Sequence, residues 1–314
     1  MNIVFVDADT IGSDVDLSGF SELGDVTVYG YTEESEMPER IREADVIIVN
    51  KTEVNARTVG EAPRLKLVCV SATGTNNLDM DFLEHRGIAW RNVAGYSTEN
   101  VAQHTFALMF ALLEKLSYYD DYVKSGKYTA GRSFTHFSNV FHELQNLTWG
   151  IIGLGNIGRR VADIAGVFGC RVIYYSTSGR PRQEGYEQVD LDTLLKTSDI
   201  VSVHAPLNEN TLNLMNAEAF RKMKQTAVFI NVGRGPIVVE EDLADALERG
   251  EIAAAGLDVL RTEPMTENNP LRRFQDSTKL IVTPHIAWAS AEARNRLVEI
   301  LLEQVRGFFS ENEK

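Results

Sequence analysis

The stretch that most restricts the fold of this chain is WGIIGLGNIGRR, Trp149 to Arg160. An apolar, strand-like run is followed by glycines at positions 153, 155 and 158 and then by a helix-like segment. In this strand–turn–helix context the GxGxxG spacing has a physical meaning. Gly153 permits the tight turn, Gly155 lets the backbone approach a pyrophosphate, and Gly158 lets helix and strand pack closely. The first turn of the helix then offers unpaired N–H groups and a partial positive charge to phosphate. The stretch therefore reads as the start of a dinucleotide-binding βαβ unit.

The rest of the chain repeats this alternation. Before the glycine turn, NIVFVDA, VTVYGY, DVIIVN, LKLVCVSATG and IAWRN read as strands, with MPERIREA and LDMDFLEHRG as intervening helices. After it come RVIYYS, DIVSVHAP, AVFINVG, AAGLDV and KLIVTPHIA as strands and LDTLLKTS, NAEAFRKM and EEDLADALERG as helices. The chain closes with a long amphipathic helix, SAEARNRLVEILLEQVRGFFS. Strands separated by helices imply parallel sheets, because parallel neighbours require crossover connections. The fold class is α/β, with two doubly wound parallel-sheet domains. Between the two regions, Val101, Thr105, Leu108, Leu112 and Leu116 recur at helical spacing, which predicts one long helix with a tyrosine-rich end. Such a helix suits a connector, a dimer face or an ordinary core element.

A length of 314 residues fits two domains. Apolar residues at 44% and charged residues at 24% fit a globular chain rather than a disordered or fibrous one. The formal net charge of −14 disfavours nucleic acid and anionic membranes as partners, since both call for clustered Lys and Arg. The two cysteines, Cys69 and Cys170, sit beside strand-like runs and read as buried thiols; no disulfide framework or zinc spacing exists, and no metal site is expected. The N-terminal MNIVFVDAD is a strand pattern rather than a secretion signal, and FALMFALL is too short to span a bilayer. A cytoplasmic location is expected.

In an NAD site an acid about 20 residues beyond the turn binds the ribose hydroxyls. Here the second strand ends in YYSTSGRPR. Ser176 stands where the acid would be, and Ser176, Thr177, Ser178, Arg180 and Arg182 are suited to a 2′-phosphate. NADP is therefore favoured slightly over NAD.

Three further residues follow successive strands: Arg234 in INVGRGPIV, Glu263 in GLDVLRTEP and His285 in VTPHIAW. In a doubly wound sheet the strand C-termini line one crevice, so these three groups can meet. Taken alone, each has a plainer reading: a surface ion-pair arginine, a turn residue before Pro264, a partly buried histidine. Together, GLGNIG, HAPLNENT, INVGRG, GLDVLRTEP and TPHIAW resemble the D-isomer-specific 2-hydroxyacid dehydrogenases. SATGTNNLD and NVAGYSTENVAQHT extend the resemblance over nearly the whole chain, and VNK, ATGTNN and VAGYST look most like the glycerate dehydrogenase and hydroxypyruvate (glyoxylate) reductase branch.

The resemblance implies a hydride transfer between a nicotinamide cofactor and a short 2-keto or 2-hydroxy acid. His285 would be the general acid/base, Glu263 would pair with its other ring nitrogen, and Arg234 would bind the substrate's carboxylate and carbonyl. Cofactor contacts would come from Gly153, Gly155, Asn156, Ile157 and Gly158 in the turn, from Ser176, Thr177 and Arg180, and from His204, Pro206 and Thr211. Val232, Gly233 and Asp258 would complete them. The backbone near Thr73 and Gly74 would hold the substrate carboxylate, and Lys51, at a strand end, would reach the same crevice. Gln103 departs from the family's VAEHT pattern, which puts in doubt a polar network there. The substrate domain would comprise residues 1–98 and 287–314, flavodoxin-like and discontinuous, with a Rossmann domain of residues 99–286 inserted in it. A homodimer through LSYYDDYVKSGKY and FTHFSNVF is expected. Rival readings are a dinucleotide-sensing, corepressor-like binding protein and a dehydrogenase for D-lactate or 3-phosphoglycerate.

Overall fold

The computed structural model describes residues 1–179, 185–275 and 278–312. Arg180 and Arg182, expected near the cofactor's ribose, lie outside those residues. Packing divides the chain into two compact units: Met1–Ser97 joined by the segment from Ala289, and Thr98–Trp288.

The first unit holds a parallel sheet of β1 (Asn2–Phe5), β2 (Asp25–Val28), β3 (Val46–Val49), β4 (Leu67–Val70) and β5 (Ala89–Asn92). Their order is β2-β1-β3-β4-β5, the flavodoxin-like arrangement, with strand order reversing between β1 and β3. β3 and β4 are buried on both faces, which is why VIIV and LVCV are unbroken apolar runs. The helix Met80–Arg86 is closed at both ends by local chemistry. Asp79 accepts the N–H of Phe82 at 3.0 Å, and Gly87 takes a left-handed φ of 65° at the C-terminus. The final helix, Ala291–Asn312, returns to this unit, where the Gln304 amide donates to the carbonyl of Asn92 at 2.9 Å.

The second unit is a seven-stranded parallel sheet: β6 (Thr148–Ile152), β7 (Arg171–Tyr175), β8 (Glu187–Gln188), β9 (Ile200–Val203), β10 (Val228–Asn231), β11 (Ala254–Leu257) and β12 (Leu280–Val282). The order β12-β11-β10-β9-β6-β7-β8 is that of a Rossmann sheet with one added edge strand. The two-residue β8 went unread in the sequence because nothing in it alternates. Successive residues of β10 feed opposite faces: Val228 and Ile230 join the cluster around Trp149, while Phe229 joins the cluster around Phe220 and Leu243. The switch in strand order falls between β6 and β9, where the glycine turn lies.

The single long helix expected after Ser97 is two helices, Thr98–Leu113 and Leu116–Lys124. The break is at Lys115, whose φ of 53° is left-handed. The first helix lies over the sheet, with Leu108 and Leu112 facing Gly256, where a side chain would stand 3.1–3.2 Å from them. The second turns away to build an aromatic cluster: the rings of Tyr122 and His136 stack at 3.7 Å, and the Tyr119 hydroxyl donates to the carbonyl of Asn139 at 3.0 Å. Leu116, on the expected apolar stripe, is consequently exposed. Periodicity continues across the break, so the sequence conceals it. A left-handed lysine costs more than a left-handed glycine. Lys115→Gly is therefore expected to raise stability by about 0.5–1 kcal/mol, read from the thermal or urea midpoint; a lower midpoint would contradict this account.

Candidate active site

The glycine turn is built as its spacing demands. Gly153 has a φ of 93°, and a Cβ there would stand 2.8 Å from the backbone of Ala205. A Cβ on Gly158 would stand 2.2 Å from the carbonyl oxygen of Gly153, so the helix can begin this close to the strand only with glycine. At Gly155, the N-cap of the helix Asn156–Val167, a Cβ would meet nothing within 4 Å, and no side chain caps the helix. Open space and uncapped N–H groups together fit a pyrophosphate.

From this turn a series of close backbone contacts runs along the C-terminal edge of the sheet. Gly153 abuts Ala205 after β9. Gly233 after β10 approaches the Ala205 carbonyl, its Cβ position being 3.2 Å away. Gly235 lies against Leu260 after β11, where a Cβ would come within 1.9 Å of the Leu260 carbonyl group. Leu260 in turn donates its N–H to Glu263 Oε1 at 2.9 Å, and Glu263 Oε2 lies 2.7 Å from His285 Nδ1. Arg234, flanked by Gly233 and Gly235, therefore belongs to the same edge as the Glu263–His285 pair.

Each member of the triad is fixed from behind. Asn231, fully buried at the end of β10, donates to the Arg234 carbonyl at 3.0 Å and accepts from the Gly233 N–H at 3.0 Å, while Arg234 NH1 donates to the Gly233 carbonyl at 2.8 Å. Asp258, 1% exposed, holds the loop that carries His285. Its Oδ1 accepts from the Thr283 hydroxyl at 2.6 Å and from Ile286 N at 2.9 Å, and its Oδ2 accepts from Ala287 N at 2.8 Å. The N–H of His285 donates to the Asp258 carbonyl at 2.9 Å, with His285 held at a φ of 56°. His104, on the helix Thr98–Leu113, reaches Thr283 Oγ1 at 2.9 Å from Nε2, whereas the neighbouring Gln103 is exposed.

Other expected site residues fall into place less directly. Ser176 and Ser178 follow β7 with their hydroxyls 3.3 Å apart and Thr177 between them; no carboxylate occurs from Ser176 to Gly179. Thr211 is buried and closes the loop after β9 by donating to the carbonyl of Pro206 at 2.8 Å. Val232 is 8% exposed and packs in the core beneath Gly233. Asn156 and Ile157 open the turn's helix. In the first unit, Lys51 is exposed just beyond β3, and its backbone N–H donates to Asp7 at 2.8 Å. The Thr73 hydroxyl donates to the Val93 carbonyl at 2.9 Å and precedes Gly74 in the loop after β4.

Three contributors went unread in the sequence. Gly235 is required by contact with a segment 25 positions away. Glu240, 9% exposed, accepts from the Arg261 N–H at 2.6 Å and from Asn269 at 2.8 Å, bracing the loop of Glu263. Asp7 accepts from the backbone of Asn50, Lys51 and Thr52. In each case the partner is remote in the chain, and no local signal marks it. Among the described residues no cluster of His, Cys, Asp or Glu is arranged to hold a metal, and no helix is long and apolar enough to cross a membrane.

A Rossmann sheet with a glycine cradle, an arginine and an acid-paired histidine on one edge defines a nicotinamide-dependent oxidoreductase. The sequence model of the family described as D-isomer specific 2-hydroxyacid dehydrogenase, NAD binding domain, matches residues 106–287. The chain is 35% identical over 98% of its length to hydroxypyruvate reductase of Blautia hydrogenotrophica, covering 97% of that protein. It is 37% identical over 87% of its length to glycerate dehydrogenase of Methylorubrum extorquens, covering 85% of it. Among solved structures, D-lactate dehydrogenase from Aquifex aeolicus, complexed with NAD and lactic acid, matches with a TM-score of 0.87 at 28% identity over 99% of this chain and 96% of that one. This chain belongs to the D-isomer-specific 2-hydroxyacid dehydrogenase family, near its hydroxypyruvate reductase and glycerate dehydrogenase members.

His204 closes β9 at the switch point. The residue as a whole is part-exposed, yet its Nδ1 is shut off from solvent, and burial pushes the ring down from 6.5 to about 3. The folded protein thus refuses a proton that the unfolded chain accepts. The resulting stability is complete above pH 6.5 and is lost as pH falls toward 3. Wild type should lose about 1–2 kcal/mol more than His204→Asn between pH 7 and pH 5, measured by urea unfolding of both proteins; equal losses would show that His204 is not buried neutral.

Proposed function

We propose that this enzyme reduces short 2-keto acids, hydroxypyruvate to D-glycerate and glyoxylate to glycolate foremost, and runs the reverse reaction with the same groups. The Glu263–His285 contact at 2.7 Å carries this reading. With Nδ1 engaged by the carboxylate, His285 has Nε2 left to give a proton to the keto oxygen or to take it back. Glu263 is itself held by the Leu260 N–H, so the imidazole ring is fixed in orientation. The guanidinium of Arg234, tethered through NH1 to its own loop, presents its remaining donors to the substrate's carboxylate and carbonyl oxygens. When bound, the nicotinamide supplies the hydride that C2 of the keto acid accepts. The Thr98–Trp288 unit would hold the dinucleotide. The unit of Met1–Ser97 and the chain from Ala289 would hold the substrate, through the backbone at Thr73 and Gly74 and through Lys51.

The finer assignments rest on particular residues. NADP is favoured over NAD because the end of β7 offers hydroxyls at 176–178 and no acid. A cytoplasmic location suits two free thiols that burial pushes up to about 12 at Cys69 and about 11 at Cys170. A homodimer is favoured by the aromatic arm after Lys124, where Phe134 and Phe137 are 87% and 91% exposed. Phe134→Ser combined with Phe137→Ser should shift the protein from dimer to monomer in analytical ultracentrifugation; a monomeric wild type would dispose of the interface.

The activity is tested with hydroxypyruvate, glyoxylate, pyruvate and 3-phosphohydroxypyruvate, each with NADPH and with NADH. The first two should give the highest kcat/KM, with NADPH ahead. His285→Asn should lower kcat about 10²- to 10⁴-fold while dinucleotide binding is retained. Turnover unaffected by that change would defeat the assigned chemistry.

A further inference from the structure

His285 sits in the middle of a short segment, Thr283 to Ala287, and the helix Thr98–Leu113 grips that segment at both ends. The Asn100 amide donates to the Ala287 carbonyl at 2.6 Å. His104 Nε2 lies 2.9 Å from the Thr283 hydroxyl. Asn100 and His104 are four positions apart, so they share one face of the helix. Gln103, the residue that departs from the family's pattern, is exposed.

The hydrogen bonds of this grip run in one direction. The Thr283 hydroxyl has a single proton, and its 2.6 Å contact with the Asp258 carboxylate takes it, because a carboxylate can only accept. The next acceptor beside it, the Leu257 carbonyl at 3.4 Å, has no proton to offer either. Toward His104 the hydroxyl therefore accepts, and Nε2 carries a hydrogen. That N–H also faces Asp258 Oδ1, 3.5 Å away. Each end of the His285 segment is thus held twice. Thr283 stands between His104 and Asp258, and Ala287 stands between Asn100 and Asp258, which accepts its N–H at 2.8 Å.

We propose that Asn100 and His104 are positioning residues for the reaction, clamping the segment that carries His285 from the helix side and so holding its ring where Glu263 meets it. This rests on the reading of His285 as the group that gives and takes the proton. Asp258 reaches the segment from just beyond β11, and the helix adds contacts from a second element, one on each side of His285. A histidine held at a φ of 56° persists only where its surroundings over-determine the backbone, and the two-sided clamp supplies that. Asn100 and His104 both act through the segment, so their loss falls on turnover rather than on the binding of substrate or dinucleotide.

The test compares His104→Leu, which removes the N–H, with His104→Gln, whose amide nitrogen can stand where Nε2 stands. The full-length proteins are assayed with hydroxypyruvate and NADPH, and kcat is taken per dinucleotide site titrated by calorimetry, so that misfolded protein does not count. His104→Leu should lower kcat about 10- to 100-fold with KM and NADPH affinity little changed, and His104→Gln should recover most of the loss. Asn100→Ala, which leaves the contacts of Thr283 intact, should lower kcat in the same way. A second readout needs no turnover. In protein labelled with ¹⁵N-histidine, the ring signals of His285 are identified by their loss in His285→Asn. They should move in His104→Leu and in Asn100→Ala, and lie near their wild-type positions in His104→Gln. Unmoved signals in His104→Leu and Asn100→Ala overturn the clamp, as does an unchanged kcat in both or an equal loss in His104→Leu and His104→Gln. A wild type that binds NADPH but reduces no keto acid would overturn the proposed reaction instead, and the ring signals would still decide the clamp.

Discussion

The candidate site depends on one buried carboxylate. Asp258 has no freedom of its own: it is 1% exposed and accepts from Thr283, Ile286 and Ala287. Those three donors belong to the segment around His285, a bulky residue held in left-handed backbone, where an unsupported chain would relax to an extended or right-handed conformation. A carboxylate accepting several hydrogen bonds out of water is a stiff anchor, because abandoning any of them leaves buried charge uncompensated. The imidazole therefore meets Glu263 at 2.7 Å with its approach already fixed by the backbone. The position of the ring is set by folding rather than by binding.

The first unit uses the same device. Asp7, 5% exposed just beyond β1, accepts from the N–H groups of Asn50, Lys51 and Thr52 and from the Thr52 hydroxyl. It thereby freezes the loop after β3 at that sheet's own point of strand reversal. In both units a buried acid at a strand C-terminus converts a loop into a fixed platform. Parallel sheets favour this, since all their strands end on the same edge and the loops there must carry function without loosening the core. The chain's formal charge of −14 overstates its surface acidity for the same reason, as some of its carboxylates are interior struts.

Local chemistry was readable in the sequence, and remote contact was not. The glycine turn, the strand runs and the helix ends are specified by neighbours a few positions apart, and the structure places them as the spacing implies. The strand-end argument puts Arg234, Glu263 and His285 on one edge, and the structure brings Glu263 and His285 into contact there; any role for them comes from the resemblance, not from the spacing. Gly235 against Leu260 and Glu240 under the Arg261–Asn269 loop join segments that only the folded sheet brings together. Lys115 shows the opposite failure. The helical period runs straight through it, and the helix beyond the break packs Tyr119 and Tyr122 against His136, which lies outside that helix and outside any local pattern.

His204 marks the limit of motif reading. VSVHAP identifies a histidine at a strand end, but a strand end is equally suited to a charged, a catalytic or a merely packed imidazole. The surroundings are set by the Ser202 hydroxyl, 2.9 Å from the ring and two residues back, and by the Trp149 indole on β6, which the motif does not contain. An indole can only donate, so the Ser202 hydroxyl accepts from Trp149 and keeps one proton and one lone pair for the imidazole. A side chain that titrates near neutrality in water thereby becomes, through burial, a neutral imidazole at the edge where the sheet's order reverses.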